Sequence, residues 1–95
     1  MIQVENVSIR GNELQYVKID MWGAPLVMLK GKKGYVMCGY LNIATADKLG
    51  DFAVRVTGVK DLDSVLASKV VECSAAASRA GIKQGDPVSE IAGLL

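Results

Sequence analysis

The sequence predicts an α+β fold: antiparallel β hairpins at the N-terminus, then a strand and short helices, all within a single compact domain spanning residues 1–95. Residues 1–41 are mainly β in pattern, because their apolar residues either alternate with polar ones or form short continuous runs. Residues 42–95 are mixed and mainly helical, with capping residues before short stretches of helical spacing. At 95 residues the chain has room for one core, and it shows no internal repeat and no low-complexity linker.

The first 22 residues predict a β hairpin. Residues 2–10 and 14–22 alternate between apolar and polar positions, with Val17, Ile19 and Met21 on one side of the second strand. Between the two strands stands the pair Gly11-Asn12, and both residue types tolerate the positive φ of a tight turn. The pair is therefore expected to form the turn.

A second hairpin is expected over residues 26–41. Residues 23–25 break the first hairpin, and residues 26–29 form a continuous apolar run that suits a strand covered on both faces. The segment 31–34, Gly-Lys-Lys-Gly, then turns the chain into a second apolar strand over 35–41. Its GXXG spacing resembles the loop with which KH domains clamp nucleic acid, but here it joins strands, which favours a solvated hairpin tip.

Local signals predict the elements of the second half. Residues 43–49 suit a short helix, with Asn42 as N-cap and Gly50 just past its end, and residues 52–59 return to a β-branched strand pattern. This arrangement allows a strand-helix-strand crossover from Tyr35 to Val59, with the two strands parallel.

Three more helices follow in the expected order. Asp61 suits the cap of a helix through Leu66, and residues 72–80 carry Cys73 and three alanines at helical spacing before Gly81. The last helix is the clearest, with Asp86 as cap, Pro87 in the first turn and an apolar stripe at residues 88, 91, 92 and 95. The intervening turn, residues 81–85, is expected to be a linker, because the carboxylate of Asp86 would repel an anion there.

Composition excludes several classes of function. The chain is 51% apolar and 22% charged, and its eleven basic and ten acidic residues are interspersed and leave a net charge of +1. A nucleic-acid or anionic-lipid partner is therefore not expected. In a chain this small, the apolar content predicts exposed apolar surface on the monomer, which favours self-association.

The same sequence predicts a cytoplasmic protein. No apolar run approaches the roughly 18 residues that a membrane span needs, and the N-terminal residues alternate in a way unlike a secretory signal. Cys38 and Cys73 have no metal-ligand spacing and lie in apolar segments. We expect reduced thiols, with no metal and no cofactor.

Three residues form the candidate ligand site: Cys38, Asn42 and Arg55. The chain has no histidine, so it cannot build a Cys-His or Ser-His pair, and Cys38 would need a lysine or arginine to stabilise a thiolate. Parallel strands would bring the thiol, the amide and the guanidinium together near the strand ends, where such sheets commonly bind ligands.

Each of these residues also has a structural interpretation. Cys38 is expected to be buried as a small apolar side chain, without an unusually nucleophilic thiolate, and Asn42 has its capping role. Arg55 faces either solvent or a carboxylate or bound anion. Trp22 is either a lid on the core or an anchor in an interface.

Residues 33–42 (KGYVMCGYLN), 54–59 (VRVTGV) and 80–85 (AGIKQG) together resemble the YunC-like family of domains of unknown function, DUF1805. The resemblance implies an α+β domain whose N-terminal β region mediates tetramer formation, with no assigned activity. Two positions depart from the family's pattern: Asn42 stands where an acidic residue is usual, and Asp86-Pro87 replaces a small, uncharged stretch.

The sequence thus favours a homo-oligomeric structural or interaction module, a homotetramer or a dimer, whose N-terminal strands contact other copies. The alternative is a small enzyme or small-anion-binding protein with a pocket around Cys38 and Arg55.

Overall fold

The computed structural model describes residues 1–95 and arranges six strands in one mixed sheet. The strands lie in chain order, β1-β2-β3-β4-β5-β6. Their bounds are β1 Ile2–Ile9, β2 Asn12–Ile19, β3 Leu26–Lys30, β4 Gly34–Met37, β5 Phe52–Arg55 and β6 Glu72–Cys73. Every neighbouring pair is antiparallel except β4 and β5, which are parallel. The predicted α+β class, with two N-terminal hairpins, is confirmed.

Four short helices connect and cover the strands. They are α1 Ile43–Leu49, α2 Leu62–Ala67, α3 Ala75–Arg79 and α4 Val88–Ile91, and a 3₁₀ turn, Ala92–Leu94, follows α4. Each has fewer than eight residues, so tertiary packing must supply most of its stability. None of them is long and apolar enough to cross a membrane.

The main core lies on one face of the sheet, where alternate residues of the strands meet the helices. Leu29, Val36 and Val54 are neighbours across β3, β4 and β5, and all three are buried. They pack in one cluster with Ile82 and Val88 from the helical half. The apolar stripe predicted for the last helix is buried as expected, since Val88, Ile91, Ala92 and Leu95 all belong to this cluster.

The opposite face of the sheet is covered only in part. Ala53 alternates with Val54, is fully buried, and lies against α1, which therefore covers the β5 side of this face. Over β1–β3 the same face carries apolar residues that are exposed or half-buried and lie outside the main core cluster. We call these residues the open face: Ile2, Val4, Val17, Ile19 and Met28.

The crossover between the parallel strands forms as predicted. Asn42 is the N-cap of α1, and its side chain accepts a hydrogen bond from the Thr45 N–H at 3.1 Å. Gly50 ends the helix with φ at 77°, in the left-handed region that glycine tolerates. Asp61 likewise caps α2 and forms a reciprocal capping box with Ser64.

The first hairpin turn lies one residue earlier than predicted. Ile9 pairs with Asn12, so Arg10 and Gly11 are the two turn residues, with φ of 49° and 83°. Two positive φ angles are typical of the type I′ turn, whose twist matches that of the flanking strands. The Asn12 side chain instead donates to the carbonyls of Ile9 and Arg10.

The helix predicted over residues 72–80 was wrong at its start. Glu72 and Cys73 form β6 on the edge of β5, and Ser74 is the N-cap of α3. Pairing with β5 satisfies the backbone of this segment, and the Ser74 hydroxyl accepts from the Ala53 N–H at 3.0 Å. Gly81, with φ at 100°, follows α3 as predicted.

Asp86 is not the cap of α4. Pro87 occupies the N-cap position, and Asp86 accepts from the Lys83 N–H at 2.8 Å, which closes the preceding turn. The strands β2, β4 and β5 also end several residues earlier than their apolar patterns predicted, at Ile19, Met37 and Arg55.

Candidate functional site

Cys38 follows β4 and is buried in the main core. Its side chain is 4% exposed, and its sulfur accepts a hydrogen bond from the Val27 N–H at 3.4 Å. The alternation of β4, continued by one residue, places Cys38 on the same side as Val36, and both belong to the main core cluster. Cys38 also lines a cavity of about 260 Å³ together with Pro25, Tyr40 and neighbouring residues.

Asn42 and Arg55 lie elsewhere, in a second cleft of about 440 Å³ beyond the ends of β4 and β5. The structure thus brings Asn42 and Arg55 to one cleft and places Cys38 beside a different one. The Asn42 oxygen is already used as the cap of α1.

Arg55 is paired with a carboxylate that the sequence did not indicate. Its Nε donates to Glu72 Oε1 at 2.8 Å, and its Nη2 contacts the same oxygen. Arg55 and Glu72 are opposite residues on β5 and β6, so their side chains share a face of the sheet. The guanidinium is thereby neutralised at the mouth of the cleft, and an incoming anion would compete with Glu72.

Both cysteines are free thiols. Cys73 is half-buried on β6, and its sulfur lies 3.6 Å from the Ile82 carbonyl oxygen. Burial, followed by the nearby charges of Asp47 and Asp86, raises the pKa of the Cys73 thiol and disfavours the thiolate. The hydrogen-bond partners of the two sulfurs are the Val27 N–H and the Ile82 carbonyl, and neither is a lysine or arginine side chain.

We expect Cys38 to react slowly with a thiol reagent in the native protein. The core must open locally before the reagent can reach a side chain with so little exposure. A Cys73→Ala variant isolates this thiol, and its labelling rates in buffer and in denaturant give the protection directly. Fast native labelling near neutral pH would refute a purely structural Cys38 and favour the enzyme alternative.

A hydrogen bond between Tyr35 and Asp51 ties β4 to the segment before β5. The Tyr35 hydroxyl donates to Asp51 Oδ2 at 2.9 Å. Burial, this hydrogen bond and the charge of Asp51 together raise the pKa of Tyr35 from 10.0 to about 12. The folded state therefore retains a proton that the unfolded state loses first.

The raised pKa of Tyr35 predicts a specific alkaline instability. The contribution is fully present below pH 10 and is lost as the pH rises from 10 to about 12. Denaturant unfolding at several pH values should therefore show a steeper loss of stability in the wild type than in Tyr35→Phe across this window. Parallel losses in the two proteins would contradict the assigned pKa.

The two turns considered above as nucleic-acid or anion sites, residues 31–34 and 81–85, have backbone amides that hydrogen-bond within the chain. The amides of Lys33 and Gly34 both donate to the Leu95 carbonyl oxygen, so the hairpin tip holds the end of the helical half. Gly85 donates to the Val70 carbonyl at 2.8 Å, which fits the linker role predicted for residues 81–85.

Exposed large apolar side chains are concentrated at one end of the sheet. Trp22 is 99% exposed, so it is not a lid on the core of its own chain. The Met1 carbonyl accepts a hydrogen bond from the Asp20 N–H, and the Tyr40 hydroxyl donates to the Ala24 carbonyl at 3.0 Å. Both residues are thus tied to the segment 20–24 that carries Trp22. We call this group the apolar corner: Met1, Met21, Trp22 and Tyr40. It adjoins Ile2 of the open face.

Comparison with known proteins gives a consistent result. The family described as "Domain of unknown function (DUF1805)" matches residues 37–95. The Bacillus subtilis (strain 168) protein "Uncharacterized protein YunC" is 29% identical over 89 residues, covering 90% of this chain and 88% of its own. A crystal structure of a protein of unknown function, TA1206 from Thermoplasma acidophilum, superimposes with a TM-score of 0.97 at 48% identity, over 100% of this chain and 93% of that one.

Proposed function

The chain belongs to the DUF1805 family, a family of domains of unknown function, and from that premise we propose that it is a homo-oligomeric structural or interaction module. Its contact surface is the open face of the N-terminal strands, and its assembled form is a tetramer. The observation that carries the proposal is an apolar sheet face without a cover over β1–β3.

The open face has the layout of an interface rather than of a solvated surface. Ile2 pairs with Ile19, Val4 with Val17, and Val17 with Met28, so the apolar residues form one continuous patch across three strands. Antiparallel sheets that face water normally carry polar residues on that side. Ile2 and Val4 are 68% and 58% exposed in the single chain, and burying such side chains is a main favourable term in association.

Two further features support self-association. The residues 26–29 have the continuous apolar pattern of a strand covered on both faces, yet Met28 is only half-buried within one chain. In addition, β1 is an eight-residue edge strand without proline, and such an edge is open to pairing unless something protects it. A second copy supplies the missing cover in both cases.

The experiment that tests the proposal is the mass of the wild-type chain, measured by light scattering on a gel-filtration column. The monomer has a mass of 10.1 kDa. We expect about 40 kDa, four times that value, at micromolar concentration. A dimer mass would keep self-association and remove the tetramer, and a monomer mass would overturn the proposal.

We further propose a cytoplasmic location. Both thiols are free, and the reducing cytoplasm keeps thiols in that state.

A second candidate function, binding of a small anion, rests on the cleft shared by Asn42 and Arg55. Because Glu72 competes for the guanidinium, a Glu72→Gln variant should bind inorganic phosphate more tightly than the wild type does. Calorimetric titration of both proteins decides the matter. Absence of binding in both would remove this candidate.

A further inference from the structure

Trp22 is a large apolar side chain without a place in its own chain. It lies in the loop between β2 and β3 and is 99% exposed. It is also the single tryptophan of the sequence. Tryptophan is enriched among the residues that carry most of the binding energy of interfaces, where it fills a pocket on the partner.

A pocket of suitable character lies next to it along the chain. The cavity beside Cys38 measures about 260 Å³, and Pro25, Gly39, Tyr40 and Val59 are among the residues that line it. No charged residue lines it. Its volume is below the roughly 300–1,000 Å³ typical of small-molecule sites, but it suits one aromatic side chain. A tyrosine ring and a sulfur atom are both favourable neighbours for an indole.

Trp22 and the pocket are close in sequence, since Ala24, two residues after Trp22, and Pro25 both line the pocket. Trp22 does not occupy this pocket in its own chain, where its side chain is almost completely exposed. Two copies related by a two-fold axis use the same surface patch, so the tryptophan of each copy can occupy the pocket of the other. We infer that Trp22 of one copy seats in the pocket formed by Pro25, Cys38, Tyr40 and Val59 of a second copy.

This inference rests on the proposed self-association and supplies its second contact. A closed tetramer with dihedral symmetry needs at least two different two-fold interfaces, and the open face provides one. Strands of eight, eight and five residues present a flat area of roughly 350 Å². That is below the about 800 Å² per partner of a standard interface, so assembly needs contacts beyond the open face, and the Trp22 contact supplies the second two-fold interface.

The single tryptophan makes the first test direct. In the assembled wild type, the emission of Trp22 should lie to the blue of its emission in denaturant, and acrylamide should quench it weakly. The mass of the same sample, measured by light scattering, reports separately on the proposed function. If the protein assembles while Trp22 remains as quenchable as in denaturant, the pocket contact is overturned and self-association stands. A monomer overturns both.

Two variants test whether the indole of Trp22 binds in this pocket. Gly39→Leu adds a bulky side chain to the pocket lining without backbone strain, because a Cβ there meets nothing within 4 Å and the residue does not need a positive φ. Trp22→Ala removes the indole that would occupy the pocket. Each should lower the mass from four copies to two and weaken this contact by roughly 30-fold or more, as removal of an interface anchor does.

The matched control is Ser78→Leu, which adds the same side chain to the exposed surface of α3, away from the pocket. It should keep the wild-type mass and the wild-type quenching. If Gly39→Leu behaves like Ser78→Leu while Trp22 stays shielded, the indole lies in some other site, and the inference is wrong.

Discussion

A Val17→Asp variant is expected to lose most of the assembly of the wild type. Val17 lies at the centre of the open face, between Val4 on β1 and Met28 on β3. A carboxylate at this position would be buried without a partner when two copies meet, and the effective cost of such burial is several kcal/mol. Association should weaken by roughly 1,000-fold, about 4 kcal/mol, and the mass should fall to two copies or fewer.

The control for this variant is Gln15→Asp. Gln15 lies on the same strand and the same face, two residues towards the polar end, and it is opposite Lys30 on β3. The same charge is therefore added where solvent and a cation can accommodate it. An unchanged mass for both variants would place the interface elsewhere on the molecule, whereas equal loss in both would indicate a general effect of charge or of folding.

A large loss of folding stability is expected from Gly34→Ala. Gly34 is buried at the start of β4, opposite Phe52 of the parallel strand β5. An added Cβ would overlap the Phe52 ring and would lie 2.5 Å from the Phe52 carbonyl oxygen. Backbone cannot move aside without breaking the ladder, so the cost should reach about 3 kcal/mol, the upper end of the usual range for an overpacked core. That corresponds to a Tm lower by roughly 15 °C.

Gly39→Ala is the matched control, because it adds the same methyl group five residues later. Its Cβ meets no atom within 4 Å, and its stability should be unchanged or higher by up to about 1 kcal/mol. Thermal unfolding of the three proteins at one concentration makes the comparison. Equal stability of Gly34→Ala and Gly39→Ala would contradict the parallel register of β4 and β5.

The elements that depend on short-range signals could be predicted from the sequence. Asn42 and Gly50 bound α1 as expected, and Asp61 caps α2, because a cap is made by residues within three or four positions of each other. The parallel pairing of β4 and β5 also followed from the strand-helix-strand order. These local and chain-order rules were enough to obtain the fold class.

The elements that depend on distant partners could not. Cys73 has helical spacing to Ala76 and Ala77, yet its segment becomes a strand because β5 offers an unpaired edge. The partner of Arg55 is seventeen residues away, and only the pairing of β5 with β6 brings Glu72 to the same face. No local pattern around either residue records these contacts.

The strand β2 shows why alternation alone does not identify the core. One side carries Val17 and Ile19 and the other carries Leu14 and Tyr16, so both sides are apolar in the sequence. The helical half packs on the side of Leu14 and Tyr16, which are buried, and leaves Val17 and Ile19 uncovered. A strand with two apolar sides in a chain of this size therefore indicates a second partner for the uncovered side.

The burial of the open face between copies can be measured directly by side-chain footprinting with carbene or hydroxyl radicals, read out by mass spectrometry. Ile2 and Val4 are 68% and 58% exposed in the single chain, and Leu49, on α1 over the β5 side of the sheet, is 72% exposed. In the assembled wild type we expect Ile2 and Val4 to be modified as weakly as the buried Leu29, while Leu49 is modified strongly. Modification of Ile2 and Val4 at the rate of Leu49 would contradict the proposed interface.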